Sequence, residues 1–292
     1  MSEFTNNAEQ RAEELANYMQ ELLQGENGLQ LIEKHALKTS KFIPHDIVGA
    51  FDILMDKQIS IEDLKFVSNK LFNILYQTIL EYPALTPAQG SILDIYTQDN
   101  AVALANLKDM REHIKAINKQ TEIIHVQALV QKLIAFEKFF LHYTVIENVV
   151  FPVLESKWRH HQCVKMMWSF HDDIKRNVKR LVELLSAVEI DLKEFNSVCG
   201  LVFFNVNTII LREEKIIFPM LLETLTNEEF ADMLQQTIGI GLPYAELKQA
   251  GLNNKENIFS TEDKIHLPTG ILTAEQFNLI FNHLPVDITY VD

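Results

Sequence analysis

Between Ser91 and Ile238 the chain holds one glycine, Gly200, and two prolines, Pro152 and Pro219. A stretch of that length so poor in turn residues cannot be a meander of strands, since tight reversals draw on Gly and Pro for their special backbone angles. It reads as a few long helices with short connections. Four helical patterns fall near 99–119, 121–158, 164–188 and 192–225. Four such helices joined by short loops make an up-down four-helix bundle the expected architecture.

The chain before this stretch is also helical, in shorter pieces. Apolar residues at helical spacing run over 8–23 and stop at Gly25; a second pattern follows over 29–39. A third spans 44–56 and carries Pro44 in its first turn, where proline is favoured. Ser60 with Asp63 resembles a capping box, with Asp in place of Glu, and opens a helix to about Glu81. Tyr82-Pro83-Ala84-Leu85-Thr86-Pro87 breaks the pattern. We therefore expect an all-α chain with a small helical domain at 1–86 and the bundle at 91–240, the latter closing on a short helix restarted at Thr226–Glu229. Residues 241–292 are read as a polar linker to about Glu275 and one β-branched strand at 283–292.

Composition narrows the partners. The 292 residues carry 40 Asp and Glu against 26 Lys and Arg, a net charge of −14, which argues against a nucleic-acid partner. The most apolar run, 201–211, is interrupted by Asn205 and Asn207 and falls short of the ~20 residues a bilayer needs, so no membrane partner is expected. Two cysteines, Cys163 and Cys199, and a start unlike a signal peptide fit the cytoplasm; both thiols are read as buried and inert.

Two segments repeat. Glu147-Asn148-Val149-Val150-Phe151-Pro152 matches Glu214-Lys215-Ile216-Ile217-Phe218-Pro219, each an acid four residues before Phe-Pro in a very apolar run. A proline inside a helix costs on the order of 3 kcal/mol, so two in matching contexts mark related helices. His142 precedes Glu147 by five residues, about 140° around an ideal helix, which works against a shared ligand unless a bulge near Pro152 distorts the turn. The equivalent of His142 in the second copy is Ile209. Glu147 and Glu214 either point outward or pair with Arg212, Lys215 or a His. His160-His161 are read as a solvated turn, and His125 has no evident partner.

On His142-Tyr143-x-x-x-Glu147-Asn148 with Phe151-Pro152, Met167-Trp168-x-x-His171-Asp172, and Glu213-Glu214 with Phe218-Pro219, residues from about 99 to 225 resemble a hemerythrin-like (HHE cation-binding) domain. More narrowly they resemble a bacterial subgroup in which that bundle follows a helical domain of unknown function, here 18–79, and precedes a PAS sensory domain, here begun by the closing strand. The resemblance implies metal ligands at His142, Glu147, His171 and Glu213 or Glu214. On the first helix Asp109, Glu112 and His113 lie in the ligand region, and His113 keeps the imidazole. The set departs from the family's pattern: Ile209 replaces a fourth-helix His, and Met167 and Lys175 flank His171 where a second His belongs. Val67-Ser68-Asn69-Lys70-Leu71 stands where the subgroup's helical domain carries Cys-Asp-x-His. The cofactor implied is iron in a mononuclear or incomplete di-iron site, with haem as a variant.

The function this implies is a sensor of oxygen, nitric oxide or redox state that signals toward a PAS-like segment and takes a small diatomic ligand as partner. The alternative is a metal-free bundle serving as an interaction or homodimerisation module. An iron-handling or nitrosative-repair role comes third, since no nucleophile or acid–base pair is legible and an enzyme is not the expected class.

Overall fold

The computed structural model describes residues 2–37, 41–82, 85–244, 264–267 and 270–273. Residues 1–245 form one compact unit and 246–292 another. The first unit is all-α. It opens with α1 (Ser2–Leu23), α2 (Gly28–Lys34), α3 (Pro44–Asp56) and α4 (Ile61–Glu81). Their ends follow from local chemistry. Gly25 takes φ 88 just past α1, a conformation that disfavours residues with a Cβ. The Asn27 side chain caps α2, and Ser60 Oγ accepts from Asp63 N at 3.1 Å to cap α4. Asp63 does not complete a capping box; its carboxylate accepts a hydrogen bond from the Ser60 hydroxyl instead, at 2.7 Å.

Four longer columns follow. The first is α5 (Ile92–Lys119), capped by Ser91 Oγ on Asp94 N, so it begins about two turns before the sequence pattern suggested. The second runs through α6 (Ile123–Phe136), a 3-10 turn Glu137–Phe139, α7 (Phe140–Val145), a π-helical turn Ile146–Val150 and α8 (Phe151–Lys157). The third is α9 (Cys163–Leu185). The fourth joins α10 (Leu192–Arg212), a π-helical turn Glu213–Ile217 and α11 (Phe218–Thr224). Contacts run from α5 to α6, α6 to α9, α9 to α10 and α10 back to α5, so the columns enclose one interior. The short α12 (Asn227–Ile240) starts on a full capping box between Thr226 and Glu229 and packs on α5 and α7.

The repeated segments thus have a backbone meaning. Each places a π turn immediately before Phe-Pro, and Pro152 and Pro219 occupy the first turn of the α segment that resumes. The proline, which has no N–H, falls where the hydrogen-bond ladder is already being reset, and this explains how both are tolerated mid-column. The bulge anticipated near Pro152 is the first of these turns.

The buried apolar side chains of α1–α4 and of the columns form one continuous core, from Leu15 and Phe51 through Phe139 and Phe170 to Met233. Arg11 of α1 also pairs with Asp46 of α3 at 2.6 Å. A second tie reaches from α3 to the third column. α9 has no side-chain cap of its own, and Asp52 of α3 supplies one by accepting from His161 N at 3.1 Å and Gln162 N at 2.8 Å. His160, half-exposed, lies 3.3 Å from the same carboxylate, so the His160-His161 turn is anchored at Asp52 as well as hydrated. Asp52→Ala is expected to destabilise the protein by about 1–2 kcal/mol, as loss of an N-cap does. Thermal unfolding of the variant checks this.

Among the described residues one helical run, Leu192–Thr224, is long and apolar enough to cross a bilayer by length and composition; half of its most apolar window is buried inside the protein, as in a core helix. Continuity through the π turn makes this run longer than the 201–211 stretch read from the sequence. In the second unit, within the stretch read as linker, β1 (Lys264–Leu267) pairs antiparallel with β2 (Gly270–Thr273), Lys264 opposite Thr273 and Leu267 opposite Gly270. The strand expected at 283–292, on which the likeness to a PAS domain rests, lies outside the described residues.

Candidate functional site

The enclosed interior contains polar side chains from all four columns. His142 and Glu147 come from the second column, His171 from the third and Glu213 from the fourth. His142, His171 and Glu213 are 0% exposed and Glu147 8%. Such burial of ionisable groups requires partners, and they are found in two pairs. His142 Nε2 lies 3.0 Å from Glu213 Oε2, and His171 Nδ1 lies 2.8 Å from Glu147 Oε1. The five-residue spacing accounts for the separation: His142 reaches the fourth column while Glu147 reaches the third.

Both rings are clamped. His142 stacks on Phe139 with centroids 5.0 Å apart, and Tyr143 stacks on His171 at 4.2 Å with an interplanar angle of 10°. Phe151, the first residue after the π turn, lies parallel to the His171 ring on the same terms, at 5.9 Å and 9°. Aromatic stacking leaves an imidazole little freedom to rotate, so the orientation of each ring nitrogen is set.

The first column contributes residues that the sequence reading passed over. Asn100 Nδ2 donates to Glu213 Oε2 at 3.0 Å and to Glu214 Oε1 at 3.3 Å, and Asp99 Oδ2 lies 4.0 Å from His142 Nδ1. Asp99 Oδ1 also accepts from Tyr244 N at 3.2 Å. Glu214, the repeat equivalent of Glu147, is only half-buried; its neighbour Glu213 points inward instead. Neither pairs with Arg212. On the third column Lys175 Nζ reaches Glu147 Oε1 at 3.3 Å. The structure does not bring His113 to this cluster. It sits on α5 about 20 Å along the axis from Asn100, with its Nδ1 3.2 Å from His125 Nδ1.

Protonation follows from these contacts. Burial pushes the Glu147 carboxyl up, but the His171 hydrogen bond and Lys175 outweigh it and hold its pKa below the ordinary value. Burial lowers the His171 pKa despite the Glu147 bond, so the imidazole is neutral at pH 7. A neutral ring that donates Nδ1–H to Glu147 carries its lone pair on Nε2, and that atom is buried with no hydrogen-bond partner. Glu213 Oε1 and the Tyr143 hydroxyl are buried and unpartnered too. Burial raises the Tyr143 pKa, keeping its proton in place, and raises that of Glu214.

Imidazole nitrogen and carboxylate oxygen are the donor types that first-row transition metals take, and the orphaned His171 Nε2 and Glu213 Oε1 fit that chemistry. Among the described residues, no group of three or more His, Cys, Asp or Glu already stands together in metal-holding geometry. The donors stand as two pairs. Cys163 and Cys199 are free thiols buried outside this cluster, both pushed up to about 12 by burial, as inert core cysteines are.

No protein-family model matches the chain, and no curated protein matches its sequence.

Proposed function

We propose that the interior of the four columns is a hemerythrin-like iron site and that the chain acts as a sensor of a small diatomic ligand or of redox state. One observation carries this reading: the buried, unpartnered lone pair of His171 Nε2, on a ring whose Nδ1–H is held by Glu147. Metal-ligating histidines are oriented by such a carboxylate, which fixes the tautomer and raises the basicity of the other nitrogen. His171, His142 and Glu213 would hold the ion, with Glu147 orienting His171. The charge balance favours a cation as well. Asp99, Glu147, Glu213 and Glu214 surround the two imidazoles, and Lys175 is the ammonium paired among them. Bound iron supplies an open coordination position for oxygen or nitric oxide. Tyr143 keeps its hydroxyl proton in the same interior, a donor for a small polar ligand.

A metal-free interaction module is favoured by a different observation. Lys175 already places a positive charge on Glu147, and Ile209 occupies the repeat position of His142. One experiment separates the two readings. The protein is expressed with added iron, purified aerobically, and its iron, manganese and zinc are quantified beside an absorption spectrum. The sensor reading expects iron near one equivalent per chain, lost in His171→Ala and His142→Ala and retained in His113→Ala. Absence of metal, including after anaerobic reconstitution with ferrous iron, overturns it and leaves the interaction module. A Soret band replaces the proposed site with the haem variant.

A further inference from the structure

His113 and His125 lie outside the interior cluster, near the turn at which α5 gives way to α6. One comes from each column, and both are half-exposed. Their Nδ1 atoms are 3.2 Å apart, with ring centroids 5.4 Å apart and ring planes inclined at 51°. The two nitrogens therefore face each other across the gap. In that contact one Nδ1–H donates and the other Nδ1 accepts, since a neutral imidazole has one N–H and one lone pair. Among the described residues neither ring stacks on a further aromatic, so both keep a freedom to turn that the clamped His142 and His171 lack.

A zinc ion binds imidazole nitrogen at about 2.0–2.1 Å, and a tetrahedral angle between two such bonds sets the nitrogens about 3.3 Å apart. The gap between His113 and His125 already has that span. The geometry points to a surface site for a first-row divalent cation, zinc foremost, held between α5 and α6 by the two Nδ1 atoms. Moving the shared proton to Nε2 of the same ring keeps both imidazoles neutral and frees both Nδ1 lone pairs. A modest turn of each ring then aims them at one point. A third donor stands one turn away, since Asp109 is four residues before His113 on the same face of α5. Its carboxylate pairs with Lys132 of α6, which holds its pKa below the ordinary range, and it turns from that pair to the ion once the histidines have taken hold. Water completes the coordination at this half-exposed place. Calcium and magnesium are poor guests, because they take oxygen ligands. The bound ion ties the first column to the second and stabilises the fold by mass action.

The test uses the full chain and zinc chloride as probe, with calorimetric titration and thermal shift as readouts and magnesium and calcium as controls. Zinc is expected to raise the melting temperature in a saturable way, and neither control gives that rise. His113→Ala and His125→Ala are each expected to weaken zinc binding roughly 100-fold, the gain that a second preplaced ligand brings. Both side chains are half-exposed, so neither truncation empties a core position. His171→Ala, or His142→Ala if that variant does not fold, removes the proposed iron site and is expected to bind zinc as wild type does. Loss of zinc binding in that variant assigns the ion to the interior and overturns the proposal. So does zinc binding unchanged in His113→Ala or His125→Ala, equal stabilisation by calcium or magnesium, or no zinc binding at all. Failure of the iron site in its own test leaves this one standing, because the two share no residue.

Discussion

Glu147→Leu is expected to lose about 2–4 kcal/mol of stability, because it strands two groups at once. The His171 Nδ1–H loses its acceptor and Lys175 loses its counter-charge in a largely buried place. Lys175 retains some access to water, with a side chain 31% exposed, which keeps the loss below that of a fully sealed pair. The double variant Glu147→Leu/Lys175→Met recovers part of the loss, and denaturant unfolding of the four proteins in the cycle measures the coupling. The pH dependence of the metal-free chain has a definite sign. The folded pKa of Glu147 lies below its unfolded value, so its contribution is full at neutral pH and declines as the pH falls through the carboxylate range toward the folded pKa. The depressed pKa of His171 acts in the same direction, beginning just below its ordinary value near 6.5. Through the carboxylate range acid therefore destabilises wild type by protonating Glu147, a contribution that Glu147→Leu does not have.

Phe151→Ala is expected to cost about 3–5 kcal/mol, the range for emptying a well-packed aromatic site. Phe151 is 1% exposed and meets both the Trp168 ring and the His171 ring. Its repeat counterpart Phe218 is equally buried but touches Tyr96 instead. The two truncations should therefore be alike in lost stability, read by thermal or denaturant unfolding, and unlike in the freedom of His171. Only Phe151→Ala removes a ring that holds that imidazole, so its His171 ring signals in NMR broaden or shift while those of Phe218→Ala stay near wild type. Equal perturbation of His171 by both variants would show that the stacking on Phe151 does not position the ring.

Much of the fold was legible where local chemistry decides it. The bounds 44–56 for α3 came from a first-turn proline and a period, and the starts at Ser60 and Thr226 came from side chains that satisfy unpaired N–H groups. The start of α5 was missed because its first turns carry Asp94, Gln98, Asp99 and Asn100, which blur the apolar stripe. With Ser91 taken as the cap, Ile92, Tyr96, Ala103, Leu107 and Met110 line one face, and Asp99 and Asn100 stand out as polar residues within a buried stripe. That interruption was the available signal for the first column's share of the site. Duplication marked both Phe-Pro sites, though it suggested a bulge only near Pro152, and it aligned Glu214 with Glu147 when Glu213 is the acid that meets His142. Which of two adjacent acids faces inward depends on the phase of the fourth column against the others, a quantity that no spacing within one helix contains. Pairing across columns, His171 with Glu147 and His113 with His125, is invisible for the same reason.

The two π turns have a consequence for how the chain tolerates change in length. Each accommodates one residue more than an α-helical ladder would over the same rise, so the turn takes up a change of one residue without passing it on to the column beyond. Removing one residue from 146–150 would return that ladder to α spacing and leave the segments on either side close to their present phase. His142 and Phe151 would stay near their places, and the loss would fall on the turn itself, Glu147 included. The two halves of the second column, and likewise of the fourth, thus stay aligned through such a change, and the Phe-Pro pairs mark the links at which slack of one residue is held.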